Sequence, residues 1–190
     1  STDTGDLFIK QYNKTRYPDQ TIQGVETSLI HQSTLHKKGI PCPKIYSSNG
    51  ESILQSSKGE HFVVMELCEG RNIQAGTANE DQMYSLGKNT GEMHKILNAN
   101  NTYHTQLHWD VWPKEKMMGN WNERWNEATT LACNETLSNL EVQRKILERT
   151  DSAIFSDCEK GWSHWDLFVD NILFNSNCVS AILDFDRMNF

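Results

Sequence analysis

The sequence predicts an α+β fold: a β-rich first third, a mainly helical remainder, and a β-hairpin near the end. Three observations carry this reading. Short runs of β-formers occupy the first third, with DLFIKQY at 6–12 and HFVVMEL at 61–67 as the clearest. From Thr77 onward apolar residues recur at three- and four-residue intervals behind a helix-start signal. Finally, Ile172-Leu173-Phe174 and the run 179–183 are apolar, partly β-branched stretches separated by the polar turn Asn175-Ser176-Asn177-Cys178.

Composition limits what such a fold could do. A chain of 190 residues with 37% apolar residues can bury a real core, in one domain or two small lobes. The net charge of −7 argues against nucleic acid as a partner. An acidic surface suits a cationic small molecule, although it serves solubility more often. No run approaches the roughly 18–20 apolar residues of a membrane span, and no basic stretch leads into an apolar one at the amino terminus. The expectation is a soluble cytoplasmic protein without a membrane partner. Cys42, Cys68, Cys133, Cys158 and Cys178 are odd in number and form no C-x-x-C pair, so they read as reduced packing thiols.

Taken in order, residues 6–12 form a strand on which Phe8 and Lys10 share one face. Lys10 by itself would be an edge lysine of the kind that discourages aggregation. A helix over 23–38 follows, closed by Gly39 with Pro41 and Pro43 beyond it. Glu26 falls in its first turn, where the helix dipole favours a carboxylate. Two hairpin-like strands flank Asn49-Gly50, a second turn covers 57–60, and the run 62–65 is a buried strand. Thr77 and Glu80 have the spacing of a capping box for a helix over 79–98. Its inward stripe contains Met83, Leu86, Met93 and Leu97, and also His94 as a satisfied core histidine.

The stretch 98–120 is irregular, and His104 and His108 lack the helix that would make them a metal pair. Trp109, Trp112, Trp121 and Trp125 are either packing anchors or, with Asp110, Glu123 and Glu127 nearby, a wall for a cationic or sugar-like ligand. A long helical region over 121–150 is expected to break near 133–136, with Leu137, Leu140, Arg144 and Leu147 along one side.

The hairpin is where chemistry concentrates. Across the open end of an antiparallel pair, facing residues lie about 5 Å apart, so Asn171 and Asp184 should sit side by side. Their oxygens would suit a hard cation such as Mg²⁺. His164 and Asp166 lie just upstream.

His164-Trp165-Asp166 with Asn171 has the H-x-D-x₄-N form of a kinase catalytic loop, and Asp184-Phe185-Asp186 stands where kinases carry D-F-G. This resembles the aminoglycoside phosphotransferase and choline kinase superfamily, and the order of Lys10, Glu26 and Gly39-Ile40-Pro41-Cys42-Pro43 is similar to its pattern around the first long helix. The resemblance implies a protein-kinase-like, two-lobed α+β fold, with a partial amino-terminal lobe at 1–68 and a partial carboxy-terminal lobe at 69–190. It implies ATP and Mg²⁺ as cofactors and transfer of the γ-phosphoryl group to a hydroxyl of a small molecule.

Residue by residue, it makes Asp166 the catalytic base and His164 a buried organiser of the catalytic loop. Asn171 and Asp184 become metal ligands, and Asp186 either assists at the metal or braces the loop. Lys10, paired with Glu26, holds the α and β phosphates. Met65 lies behind the adenine, with backbone groups of Glu66 and Cys68 on its edge. Family members extend further at both ends, with a glycine-rich strand pair before Leu7 and helices beyond Phe190, so this sequence reads as a segment. The other open reading is a kinase-like scaffold that binds nucleotide without transfer, although a scaffold has no physical need to keep Lys10, Asp166, Asn171 and Asp184 together. Aminoglycoside, choline, homoserine and sugar acceptors all remain open.

Overall fold

A computed structural model of the chain describes residues 6–15, 17, 19–99, 112–155 and 158–190. Two compact units are present, one made of Ser1–Gln106 with Gly161–Phe190 and the other of Leu107–Lys160. The first unit holds every residue of the expected site.

Its sheet is built on β4 (His61–Glu66), the apolar run that reads as a buried strand. β1 (Leu7–Gln11) pairs antiparallel along one edge of β4, with Lys10 opposite Val63. The far edge is shared by β2 (Ile45–Tyr46) and β3 (Leu54–Gln55), which face Met65–Val64 and Phe62–His61 in turn. The expected hairpin around Asn49-Gly50 is therefore corrected. The turn exists, with both residues at positive φ and a single bridge between Ser48 and Glu51. It closes an excursion from one interrupted edge strand instead of joining two paired strands, because β4 offers more hydrogen bonds and apolar contact than the polar flanks of the turn offer each other.

Helix α1 (Asp19–Lys37) begins four residues before the expected start at Gln23 and stops where Gly39 takes φ +87°, as the glycine signal requires. Val25 and Leu29 on its inner face join Tyr12, Val63 and Met65 in a core beneath the sheet. Further along, Leu35 with Ile40 and Cys42 enters a larger core containing Met93 and Leu97 of α2 (Glu80–Asn98), and Ile172, Phe174, Val179, Ile182 and Phe185 of the carboxy-terminal hairpin. This core draws on both sides of the boundary expected at 68/69.

Helix α2 starts one residue later than expected and uses a different cap. Asn79 accepts from Gln82 N–H while the Gln82 side chain accepts from Asn79 N–H, and the Thr77 hydroxyl instead donates to Gln74 O. Two box-like spacings overlap here, and the later one lies nearer the buried turns of the helix. Met93 and Leu97 are buried as expected, but Met83 is 53% exposed and His94 lies on an exposed position, so the apolar stripe is narrower than its sequence spacing suggests.

The second unit is a helical hairpin of α3 (Lys114–Thr130) and α4 (Asn134–Arg149). The break falls at 131–133, where Ala132 has φ +50°. Trp121, Ala128 and Leu140 form its core, flanked by Trp125, Leu137 and Leu147. Trp121 stacks on Trp125 with centroids 5.2 Å apart, and its indole N–H donates to Leu140 O at 2.8 Å, so these two tryptophans pack as anchors. His104, His108, Trp109 and Asp110 lie outside the described residues. No described helix is long and apolar enough to cross a membrane.

Candidate active site

The hairpin forms as its sequence dictates. β5 (Ile172–Asn175) and β6 (Cys178–Ile182) are joined by Ser176-Asn177, with Ser176 at φ +54°. Ile172 faces Ile182, and beyond that pair Leu183 N–H donates to Asn171 O at 2.8 Å. Asn171 thus stands opposite Leu183, one position before Asp184. Asp184 then adopts the left-handed conformation, φ 60° and ψ 63°, which ends the strand and opens a short 3-10 turn at Phe185–Arg187. Aspartate visits this conformation more readily than most residues, yet such a conformation costs about 1 kcal/mol or more. It persists because Phe185 is buried in the main core, 4.5 Å from the His164 ring.

A cavity of ≈ 380 Å³ opens at this end of the hairpin, lined by Lys10, Met65, Glu66, Cys68, Asn171, Asp184 and Asp186 among others. A volume of this order is within the usual range for small-molecule sites. Its lining brings together the expected phosphate-binding lysine, the expected metal ligands and the strand end expected to face a base. Met65 is 9% exposed, and Glu66 leaves β4 with its N–H donated to Lys44 O.

Lys10 lies between two acids. Its Nζ is 2.7 Å from Asp184 Oδ1 and 2.7 Å from Asp186 Oδ2. Burial works against the ammonium, but the carboxylates of Asp186 and Asp184 outweigh it and hold the lysine above its ordinary pKa. The expected pairing of Lys10 with Glu26 is corrected. Glu26 lies on an exposed position of α1, whereas the buried positions of that helix near it are Val25, Ser28, Leu29 and Gln32, none of them acidic. Gln32 does line the cavity, with its amide donating to Pro43 O.

The histidine of the expected catalytic loop is fully committed. His164 is 1% exposed, its Nε2 bonds to Leu183 O at 2.9 Å, and its Nδ1 accepts from Asp166 N–H at 3.2 Å. A carbonyl can only accept, so Nε2 carries the proton and the ring is neutral. Burial lowers its pKa, against the opposing pull of the Leu183 carbonyl, Asp166 and Asp184. Neither nitrogen is left for a substrate: the residue grouped with the catalytic ones on sequence bonds backbone groups of Leu183 and Asp166 with both. Asp166 keeps its carboxylate 15% exposed, and Arg187 Nε lies 3.9 Å from Oδ2, a loose and partly screened pair. Asn171 Nδ2 donates to Asp166 O at 2.9 Å, which ties the loop to the hairpin and leaves Asn171 Oδ1 as an acceptor.

The donor set fits a hard divalent cation. Among the described residues no group of three or more His, Cys, Asp or Glu converges as a metal cage. Mg²⁺ does not need one, since it commonly takes one or two protein oxygens and completes its shell with phosphate and water. Asn171 Oδ1 and the Asp184 carboxylate, 39% exposed on the cavity, are such oxygens. Asp186 is different: its carboxylate is 4% exposed, with Oδ1 accepting from Tyr12 OH at 3.1 Å and Oδ2 against Lys10.

Three positioning residues escaped the sequence reading. Tyr12 carries a signal, since it shares a strand face with Lys10 two residues away. Asn72 donates its amide to the carbonyls of Val169, Asp170 and Ile172 within 3.1 Å, and Asn98 bonds both the N–H and C=O of Trp162. Nothing in their local sequence separates these two from ordinary polar residues.

Comparison with known proteins gives the family and the fold. The family model described as the phosphotransferase enzyme family, APH, matches residues 1–190. A homoserine kinase of Zymomonas mobilis is 24% identical over 187 residues, 97% of this chain and 54% of that protein. A homoserine kinase of Mesorhizobium japonicum is 26% identical over 159 residues, 80% of this chain and 44% of its own length. The chain thus spans about half the length of the curated relatives it matches. Among solved structures, the amicoumacin kinase hAmiN, in complex with AMP-PNP, Ca²⁺ and Ami, is similar with a TM-score of 0.54 at 18% identity, covering 96% of this chain and 52% of that one. An aminoglycoside phosphotransferase of Alicyclobacillus acidocaldarius gives 0.53 at 16% identity, covering 96% and 57%. These likenesses establish the protein-kinase-like α+β fold, and the match along its whole length places the chain in the phosphotransferase enzyme family.

Proposed function

We propose that the protein carrying this chain is a small-molecule kinase that moves the γ-phosphoryl group of ATP to a hydroxyl of its acceptor. The observation that supports this most is the single cavity on which Lys10, Asn171, Asp184 and the end of β4 converge. Adenine packs against Met65, and backbone groups of Glu66 and Cys68 read its edge. Lys10 fixes the α and β phosphates. Asn171 and Asp184 hold Mg²⁺, which when bound offsets negative charge on the phosphates. Asp166 orients the acceptor hydroxyl and takes its proton, a contribution of typically about 10²- to 10⁴-fold. Most of the remaining rate comes from positioning and electrostatics, which a rigid hairpin supplies.

Homoserine is the first acceptor to try, because both curated relatives are named homoserine kinases. An aminoglycoside panel comes second, given the fold-level neighbours. The test is incubation of the full-length protein with Mg²⁺ and ATP against these acceptors, read by mass spectrometry. A mass gain of one phosphoryl group on an acceptor that disappears in Asp166→Asn supports the proposal. Metal-dependent nucleotide binding with no acceptor phosphorylated would instead favour the nucleotide-binding scaffold.

A further inference from the structure

Lys10 needs a partner that holds its ammonium in place for phosphate, and the structure offers one that the family order does not suggest. The two residues of the D-x-D turn have different surroundings. Asp184 is 39% exposed on the cavity and accepts from Lys10 Nζ at 2.7 Å, whereas Asp186 is 4% exposed and closed in by Tyr12 and Lys10. Tyr12 is itself 2% exposed, continues the β1 ladder through its N–H to His61 O, and is wedged edge-on against Tyr17. Lys10 and Tyr12 share a face two residues apart, so both reach the same carboxylate from one rigid strand.

Asp186 Oδ2 is buried and makes no well-directed hydrogen bond; the ammonium 2.7 Å away is what compensates its charge. A buried carboxylate with that single compensation depends on it strongly. On α1, no acid occupies the buried positions near Glu26, and Glu26 itself is exposed.

Resting on the phosphotransferase reading above, we infer that Asp186, braced by the Tyr12 hydroxyl, is the anchor that positions Lys10, taking the part expected of a helix α1 glutamate, and is not a metal ligand. Asp184 and Asn171 then form the metal pair alone. Both acids lie 2.7 Å from Lys10 Nζ; the exposed Asp184 can turn to the cation, while the buried Asp186 stays on the lysine. Asp186 and Tyr12 are positioning residues, since they act on the nucleotide only through Lys10.

A double-mutant cycle on the full-length enzyme tests this. Asp186→Asn and Lys10→Ala should each lower kcat/KM for ATP about 10- to 100-fold, the range for losing a hydrogen bond to a charged group. In the Lys10→Ala background, Asp186→Asn should cost no further than about 2-fold, because the group it acts through is gone. Tyr12→Phe, which changes no charge and little volume, should raise the KM for ATP roughly 3- to 10-fold with kcat nearly constant. The Mg²⁺ concentration for half-maximal activity should stay at the wild-type value in both Asp186→Asn and Tyr12→Phe. Losses that multiply in the double variant, or a raised Mg²⁺ requirement in Asp186→Asn, would overturn the assignment while leaving the kinase reading intact. If Asp186→Asn fails to fold, a Tyr12→Phe enzyme with unchanged KM for ATP overturns it instead. A wild-type protein that transfers no phosphate overturns both.

Discussion

The carboxy-terminal hairpin and the α3–α4 helical hairpin are built from similar materials and end differently. Both fold around a turn, and both bury aromatic side chains. In the first, the apolar strand β6 ends at Ile182, and at that end Asn171 and Asp184 line a cavity, with the Asn171 amide bonded to Asp166 O at 2.9 Å. In the second, the aromatics satisfy one another: Trp121 stacks on Trp125 and spends its N–H on Leu140 O. Side chains that close on themselves contribute stability, and side chains held open by a rigid frame are available for chemistry.

Substitutions should separate the two regions. The largest effect is expected at Asp166 and Asp184. Asparagine at either position should reduce turnover by about 10²-fold or more, with the denaturation midpoint nearly unchanged, because both carboxylates are partly exposed. Next comes Trp121→Ala, which should lower the stability of the helical unit by about 3–5 kcal/mol, read by chemical denaturation. A Trp121→Ala protein with wild-type stability would undo the contrast.

Gly70→Ala sharpens it from another side. Gly70 has φ +139°, and a Cβ there would run into Ser180 Oγ and Leu173 Cβ, where the segment after β4 pairs with the hairpin through Arg71 and Phe174. A loss of roughly 1–3 kcal/mol is expected, together with weaker nucleotide binding, since the same contact joins the segment after β4 to the hairpin. Glu26→Gln should be the mildest of the series, within about 0.5 kcal/mol and about 2-fold in kcat/KM, as suits an exposed residue outside the cavity.

Thiol chemistry adds a check that needs no activity. Burial, with Glu66 beside it, pushes Cys68 up to about 11, and Cys42 rises to about 12 by burial and its neighbours Cys68 and Glu66. Exposed Cys133, lowered by its bonds to Thr136, should react with an alkylating reagent at pH 8 roughly 100-fold faster than Cys68, as peptide mapping over time would show.

The hairpin was legible in the sequence because its information is local: two apolar runs, the polar turn 175–178 between them and a motif of fixed spacing all fall within 161–187. The turn is tighter than read, since β5 and β6 take Asn175 and Cys178 and leave Ser176-Asn177. Helix α1 was legible as a helix but not as a face. Its glycine stop is a backbone requirement at one residue, whereas the question of which acid meets Lys10 depends on how the helix is rotated, and Val25, Leu29 and Gln32 decide that by burial. The cap of α2 was missed by two residues because T-x-x-E and N-x-x-Q overlap, and only packing chooses between them. β2 and β3 were visible as strands, but their shared edge on β4 was not, since pairing partners distant in sequence leave no trace in local spacing. Tyr12 was passed over because a tyrosine two residues from a lysine becomes meaningful only once a buried carboxylate is seen between them.

The cation site proposed on Asn171 and Asp184 is completed by nucleotide phosphates. Its most direct test is titration of the full-length protein with Mn²⁺, followed by electron paramagnetic resonance, with and without ATP. Tight binding of Mn²⁺ that requires ATP and weakens at least about 10-fold in both Asn171→Ala and Asp184→Asn is the expected result. Mn²⁺ binding that is indifferent to ATP, or is as strong in the two variants as in the wild type, would contradict it.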